Sequence, residues 1–180
     1  LSGATISIKL SEESNLVSNE NTILGNTVLY GATSGKLFAA GEAGELFAVR
    51  NSGATTVIEG CDSNGCEYMT GGMVVIFGEV GDNFAAGMTG GMAFIYDPKS
   101  NCAKKANPET IVWQMPETEY WKNYLKDLVL KHNQETNSNL SSKIIENFDD
   151  EIKNFLQVCP KEMLNKLENP ITNKSLVGKA

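Results

Sequence analysis

Four acidic residues recur at nearly regular intervals in the first hundred positions, and carboxylates in such a series could do chemistry. They are Glu42, Glu59, Glu79 and Asp97. Paired carboxylates can act in general acid–base catalysis or bind calcium. A catalytic site of this kind also needs basic side chains to stabilise developing charge, and this region has one arginine, Arg50, and few lysines. The pattern therefore favours a solvated or interface edge over a docking surface for a basic partner, and both over a metal or active site.

The cysteines and the single histidine do not form a recognisable site. The cysteines are Cys61, Cys66, Cys102 and Cys159. Four residues separate the first two, which is not a zinc-ligand spacing, and no second pair completes a site. Cysteine catalysis would require a nearby histidine, and His132 lies in a different part of the chain. We interpret the cysteines as reduced thiols and predict no catalytic residue, cofactor-binding residue or metal ligand in this chain.

The composition is that of an ordinary globular protein, and the two parts of the chain differ in glycine content and in charge. The chain has 180 residues, of which 41% are hydrophobic and 21% charged. Its net charge of −7 argues against unaided binding to nucleic acid or to an anionic membrane. Sixteen of the 17 glycines lie between positions 3 and 91. Residues 1–100 carry four basic against 11 acidic residues, whereas residues 101–180 carry 11 of each.

The glycine-rich part is a repeat with a period of about 19 residues, within which glycines recur at equivalent places. One glycine series is Gly35, Gly53, Gly72 and Gly91, and a second is Gly25, Gly44, Gly65 and Gly81. A large side chain follows each member of the second series by three positions: Val28, Phe47, Tyr68 and Phe84. A further apolar series is Phe38, Val57, Ile76 and Ile95. We expect each of these two side-chain series to form a ladder along the repeat.

A fixed period with short runs rich in Val, Ile and Phe predicts a mainly β fold, a parallel β-helix. Its glycines would occupy bends or close approaches between coils, so the pairs Gly71-Gly72 and Gly90-Gly91 are not phosphate cradles, which would open helices. We assign a structural role to Gly35, Gly53, Gly72, Gly91, Gly44, Gly65 and Gly81. A left-handed solenoid of hexapeptide repeats fits the step from Gly35 to Gly53, which is a multiple of six, but not the two steps that follow it.

After the repeat the pattern changes to that of amphipathic helices. Pro116 is well placed to start a helix that runs to about His132 with one apolar face. Shorter helices fit residues 140–148, 150–157 and 160–167. The predicted organisation is a β-helix over 1–100, a linker over 101–115, a short helical tail over 116–168 and a loose C-terminus over 169–180. We expect the β-helix to be N-terminally incomplete, because Leu1 falls inside a repeat.

Four segments carry a resemblance to a known family. They are GNTVLYGATSGKLFAAG at 25–41, GELFAVRNSGA at 44–54, NGCEYMTGG at 64–72 and NFAAGMTGGMA at 83–93. Together they resemble the C-terminal glycine-repeat domain of the glutamate synthase large (alpha) subunit. The match is dense from about residue 22 to 97 and looser over the helices. A subunit of formylmethanofuran dehydrogenase has a more distant version of the same repeat.

The resemblance implies a right-handed β-helix that serves as a non-catalytic scaffold. In that family the enzyme converts glutamine and 2-oxoglutarate to two glutamates, with FMN and an iron–sulfur cluster in other domains. The implied partners are the glutaminase and synthase domains of the same protein, with neither nucleic acid nor membrane. The implied location is the cytoplasm, or a plastid in a photosynthetic eukaryote. An independent β-helix enzyme or binding module that uses the acidic residues stays open as an alternative, as does a formylmethanofuran dehydrogenase-like subunit.

Overall fold

A computed structural model of the chain describes residues 1–173. The strands are β1 (Ser2–Ile8), β2 (Thr22–Leu24), β3 (Ser34–Ala39), β4 (Glu42–Ala43), β5 (Ser52–Ile58), β6 (Gly60–Cys61), β7 (Thr70–Ile76), β8 (Gly90–Tyr96), β9 (Ile111–Gln114) and β10 (Phe155–Pro160). The α-helices are α1 (Cys102–Lys105), α2 (Glu119–Thr136), α3 (Asn139–Glu146) and α4 (Phe148–Glu151). Single 3-10 turns lie at Ser18–Glu20, Ile152–Asn154 and Lys161–Met163.

The glycine-rich part folds as a parallel β-solenoid of about 4 turns. In its long sheet, β1, β3, β5, β7 and β8 are parallel neighbours. A short sheet of β2, β4 and β6 forms a second side. Branched Val, Ile and Thr side chains, which suit a pleated and half-buried surface, are frequent in β5 and β7. The predicted fold class, a mainly β solenoid followed by short helices, is confirmed.

The third side of each turn is an arch in which every second residue has a left-handed backbone. Its φ angles lie between 52° and 65° at Thr27, Leu29, Gly31, Leu46, Ala48, Arg50, Asn64, Cys66, Tyr68, Asn83, Ala85 and Gly87. Leu46 and Arg50 donate their backbone N–H groups to carbonyls of the following turn. Ala48, between them, donates to the Val28 carbonyl of the preceding turn at 2.9 Å. The alternation thus directs successive N–H groups toward opposite neighbours.

Strand pairing shows that one turn of the solenoid is a single residue shorter than the turns on either side of it. The pairs Lys36–Thr55 and Met73–Met92 span the longer turns, and Thr55–Met73 spans the shorter one. The glycine series placed the shorter step one turn too early, between Gly35 and Gly53.

The register of the strands also corrects one predicted ladder. The structure aligns Phe38 with Val57, Val75 and Phe94. Ile76 and Ile95, predicted in that ladder, lie one residue further on. A shift of one residue places a side chain on the opposite face of a strand.

The other predicted ladder is wrong at one position. The middle left-handed residues of the arch are Leu29, Ala48, Cys66 and Ala85, so the residues before them are equivalent: Val28, Phe47, Gly65 and Phe84. Gly65 therefore occupies the ladder position that we predicted for Tyr68. Asp62, three residues before Gly65, occupies the glycine position that we predicted for Gly65. Tyr68 is 53% exposed, and its ring lies where a Cβ on Gly87 would be.

The seven glycines assigned a structural role all lie where backbone or side chains approach closely. At each of them an added Cβ would come within 2.8 Å of another atom. Gly72 combines two constraints, because its φ is +84° and an added Cβ would collide with the carbonyl oxygen of Ala54. Gly25 offers the contrast, since an added Cβ there would meet nothing within 4 Å. Whether substitution is tolerated at the seven positions stays a prediction.

The protein has two hydrophobic cores that share the long sheet. One fills the solenoid and includes the fully buried Phe47, Phe84 and Ile58. The other lies between the sheet and the helices and includes Phe38, Val57, Val75, Phe94, Trp121, Leu125 and Val129. Helix α2 starts after Thr118, ends at the left-handed Asn137, and buries the positions spaced for one helical face.

The second half of the chain differs from the predicted helices at several places. The predicted helix over 150–157 is wrong, because Phe155–Pro160 forms β10, which pairs antiparallel with β8 and then with β9. Pairing there covers the backbone groups of β8 that a parallel solenoid would leave open. The predicted helix over 160–167 is reduced to a 3-10 turn at Lys161–Met163, and α1 and β9 lie in the segment expected to be a linker.

The start of the segment expected to be loose is packed. Ile171 is buried, Gln114 donates its side-chain N–H to the Ile171 carbonyl, and Trp121 donates its indole N–H to the Asn169 carbonyl. The remainder of that prediction, over 174–180, lies outside the described residues.

We expect Gly72→Ala to lower the free energy of unfolding by at least about 1–2 kcal/mol, the cost of a left-handed backbone for an L residue, with the collision at Ala54 adding to it. Urea unfolding measures this. Gly25→Ala is the matched control and should change stability little. Equal effects of the two substitutions would contradict the described packing of the turns.

Candidate functional site

The acidic residues predicted to share an edge of the solenoid border a common cavity. Glu42, Glu59, Glu79 and Asp97 all line a space of about 570 Å³ beside the short sheet. Part of its wall is apolar and comes from Phe77, Val80, Ile95 and Leu140. The recurrence of the four acids thus reflects real proximity, although their surroundings differ.

Two of the four carboxylates have structural partners. Asp97 accepts hydrogen bonds from the backbone N–H groups of Asn101 at 2.9 Å and Cys102 at 2.8 Å, so it fixes the turn before α1. Glu79 is largely exposed and lies 3.4 Å from the ammonium group of Lys99. An exposed pair of this kind contributes about 0–1 kcal/mol.

Glu42 is partly buried among other acids. The methylene of its side chain lies against Gly60, where a Cβ would collide with it. Burial, and then the negative charges of Glu79, Asp62 and Glu59, raise the pKa of this carboxyl above its ordinary value. Both the burial and the neighbouring charges therefore disfavour the charged form of this carboxyl group.

Glu59 is the deepest of the four and connects the solenoid to the helices. The residue is 1% exposed, and its Oε1 accepts a hydrogen bond from the Ser138 hydroxyl. His132 Nε2 on α2 is 3.8 Å from the same oxygen. The His132 ring is buried and meets Phe77 edge-on at 5.2 Å between centroids. Ser138 also caps α3, because its Oγ accepts the backbone N–H of Ser141.

These three side chains resemble a nucleophilic triad in type but not in arrangement. A triad needs the hydroxyl bonded to the imidazole and the imidazole oriented by the carboxyl group. Here the Ser138 hydroxyl bonds to Glu59 instead, and within residues 1–173 neither ring nitrogen of His132 has a hydrogen-bond partner. All three residues are also closed off from solvent. The cluster is therefore suited to joining two layers and not to attacking a substrate.

Sequence reasoning missed His132 and Ser138 as partners of Glu59. The buried positions of α2 are Trp121, Leu125, Val129, His132 and Thr136. Their helical spacing could have placed His132 on the inner face. Nothing in the sequence pattern joins that face to Glu59, which lies much earlier in the chain, inside the glycine repeat.

The four thiols are buried and carry strongly shifted pKa values. Burial raises the pKa of Cys61 and Cys102 to about 12 and of Cys159 to about 11, and it raises the pKa of Cys66 well above its ordinary value. Thiols of this kind are poor nucleophiles. Within residues 1–173, no three His, Cys, Asp or Glu side chains come together in a way that could hold a metal ion. No helix of the same residues has the length and apolar character needed to cross a membrane.

Comparison with known proteins places the chain in a family. The sequence matches the GXGXG motif family over residues 1–161. The chain belongs to the GXGXG motif family. Two relatives are named "Glutamate synthase [NADPH] large chain": that of Azospirillum brasilense is 57% identical over 95% of this chain, and that of Bacillus subtilis is 44% identical over 93%. "Ferredoxin-dependent glutamate synthase 2, chloroplastic" of Arabidopsis thaliana is 44% identical over 89%. The resemblance inferred from the sequence is confirmed.

This GXGXG chain spans only about a tenth of the length of those relatives. It covers 11% of the Azospirillum and Bacillus proteins and 10% of the Arabidopsis protein. The similarity therefore concerns one domain-sized part of each relative.

We expect the Glu59–Ser138 contact to be energetically coupled. In a double-mutant cycle of Glu59→Gln and Ser138→Ala, the coupling energy should be at least about 1 kcal/mol, because the bond is buried and involves a carboxyl group. Urea unfolding of the four proteins measures it. The exposed pair Glu119 and Lys122, 3.0 Å apart, is the control and should couple by about 0.5 kcal/mol or less. Equal coupling in both cycles would contradict the role assigned to Glu59.

The stability of this GXGXG domain should fall as pH rises above about 9. In that range the thiols of the unfolded chain ionise, whereas the buried thiols of the folded protein keep their protons until about pH 11–12. The unfolded state then binds fewer protons, so the free energy of unfolding decreases with pH. Urea titrations at pH 8, 9 and 10 measure this. Cys61→Ala should make the decline of stability with pH shallower. An unchanged slope would contradict the assignment of this pH dependence to the buried thiols.

Proposed function

We propose that this chain is a non-catalytic structural domain of a glutamate synthase. The observation that carries the proposal is the 57% identity over 95% of the chain to a large chain of that name, of which the match covers only 11%. Under this proposal the whole enzyme converts glutamine and 2-oxoglutarate to two glutamates, and the chain holds its glutaminase and synthase domains in place. FMN and an iron–sulfur cluster would then belong to those other domains, and the enzyme would be cytoplasmic or, in a photosynthetic eukaryote, in a plastid.

The structure of the chain supports a holding role. Its two cores share one sheet, so the solenoid and the helices form a single packed unit. The polar groups that could resemble catalytic residues are either buried between layers, as at Glu59, or fix a turn, as at Asp97. A single packed unit in which such polar groups join two layers or fix a turn is what a scaffold requires.

A function as a free-standing enzyme is supported less well. The Ser138 hydroxyl is buried and is not bonded to the His132 imidazole, and the thiols are protonated at neutral pH. The cavity beside Glu42 favours binding of a ligand more than chemistry on it, because the carboxylates Asp97 and Glu79 that border it already have partners.

The scaffold proposal is tested in the full-length protein that carries this sequence. We expect Gly72→Ala, which loosens the solenoid, to lower the glutamate formed from 2-oxoglutarate per glutamine hydrolysed. Glutamine hydrolysis and ammonia-dependent glutamate formation, each measured alone, should persist with an unchanged flavin content. Gly25→Ala is the control and should leave the ratio unchanged.

Two results would contradict the proposal. One is release of ammonia from glutamine by residues 1–180 expressed alone. The other is loss of either glutamine hydrolysis or ammonia-dependent glutamate formation, each measured alone, in the Gly72→Ala protein, because that would place part of an active site in this chain.

A further inference from the structure

We propose that an exposed patch of Tyr30, Arg50 and Tyr68 on the solenoid arch docks another part of the full-length polypeptide, which presents a carboxylate to Arg50. The inference rests on the proposed function, because it names a contact through which a scaffold would hold a neighbouring domain. Arg50 is the one arginine of the chain. Tyr30 and Tyr68 are each 53% exposed.

The three side chains lie on neighbouring turns of the arch, which are in register. Equivalent backbone hydrogen bonds start at the N–H groups of Gly31, Arg50 and Tyr68, each donated to the following turn over 2.8 to 3.0 Å. These three residues therefore form one column across successive turns, and parallel neighbours are spaced by about 4.8 Å. Tyr30 directly precedes Gly31 and lies beside the start of the column.

The first argument is that two large side chains of the patch occupy positions suited to glycine. The column consists of Gly31, Arg50, Tyr68 and Gly87, and φ lies between 52° and 65° at all four. Glycine adopts this backbone readily, whereas an L residue does so at a steric cost. Arg50 and Tyr68 therefore persist against the local preference, as residues do where a contact requires their side chains.

The second argument is the unpaired charge of Arg50. Its side chain is exposed and has no ion pair, hydrogen bond or ring contact within residues 1–173. An acid is near, because Arg50 donates its backbone N–H to the Glu67 carbonyl at 3.0 Å, but the two side chains do not pair. Space is open in the preceding turn, since an added Cβ on Gly31 would meet nothing within 4 Å. The guanidinium is therefore available to a group from outside the described chain.

The third argument concerns the chemistry of the partner. A guanidinium binds a carboxylate through paired N–H donors, and arginine and tyrosine are enriched among the dominant residues of protein interfaces. Residues 1–100 carry four basic against 11 acidic residues, which disfavours a polyanion such as nucleic acid. The match covers only 11% of the Azospirillum relative, so a polypeptide of that length has ample chain to supply the carboxylate.

The carboxylate is tested by cross-linking in the full-length protein that carries Arg50→Lys, which places a primary amine in the patch. A water-soluble carbodiimide joins an amine and a carboxylate in direct contact as an amide, and peptide mass spectrometry identifies the pair. We expect a cross-link from position 50 to an Asp or Glu of the same polypeptide outside residues 1–180. Lys105 and Asp82, 2.5 Å apart, are the positive control for the reaction.

Hydroxyl-radical footprinting of the full-length protein tests whether the two tyrosines are covered. Uncovered Tyr30 and Tyr68 should be oxidised at about half the rate of the same residues in tryptic peptides, because each is 53% exposed. We expect less than about a tenth of the peptide rate, rising at least about threefold in Arg50→Gln as the contact weakens. Lys9→Gln removes another exposed cation without an ion pair among the described residues; as the matched control it should change neither rate.

A second variant separates lost docking from lost folding. Arg50→Gly removes the guanidinium but suits the left-handed backbone, so it should raise the oxidation of Tyr68 as much as Arg50→Gln does. A rise in Arg50→Gln with none in Arg50→Gly would assign the effect to disturbed folding and overturn the proposal.

Three further results would overturn the proposal. One is the absence of a cross-link at position 50 while Lys105 and Asp82 are joined. Another is a cross-link only to residues 1–180, to a different polypeptide or to a second copy, which mixed isotope-labelled samples reveal. The third is oxidation of Tyr30 and Tyr68 at the rate of uncovered side chains. Ammonia release by residues 1–180 would remove the scaffold role and leave the cross-link in place, so the two proposals fail separately.

Discussion

The solenoid depends on hydrogen bonds between successive turns of its arch. Ten of the twelve left-handed arch residues with φ between 52° and 65° are not glycine, among them Leu46, Ala48 and Arg50. Each such backbone costs an L residue about 1–2 kcal/mol. The conformation persists because it lets neighbouring N–H groups donate alternately to the turn ahead and the turn behind. The arch therefore has little stability within one turn and acquires it only by stacking.

That dependence explains how the end of the stack is finished. The last turn has no further parallel turn in the described chain, and residues after it supply the missing partners. Phe84 donates its N–H to the Lys105 carbonyl, and β10 pairs with β8. The helices then cover the outer face of the long sheet, where Glu59 and Ser138 join the two layers. The second half of the chain completes hydrogen bonds that the repeat begins.

The sequence predicted the kind of fold better than its register. Glycine spacing indicated the period, because close approaches between turns exclude a Cβ. The position of the one shorter turn was wrong, since Ala54 stands where the other turns have glycine and Gly65 stands in a ladder of large side chains. Strand β10 was predicted to be a helix because the apolar pattern of Phe155 and its neighbours fits a helix as well as a strand. Only the open edge of β8, a tertiary feature, decides between them.

The same limit applies to the acidic residues, and it shows what spacing can predict. Recurrence at about the length of one turn placed Glu42, Glu59, Glu79 and Asp97 around one cavity, although their positions are not all equivalent, since the strand register aligns Glu42 with Gly60 and not with Glu59. Their roles follow from what surrounds each one. Backbone N–H groups bind Asp97, and α2 and α3 enclose Glu59, whereas Glu42 is left among like charges. The helices come from a region without the repeat. The periodicity of the solenoid therefore could not show whether an acidic residue would join the two layers or line a binding site.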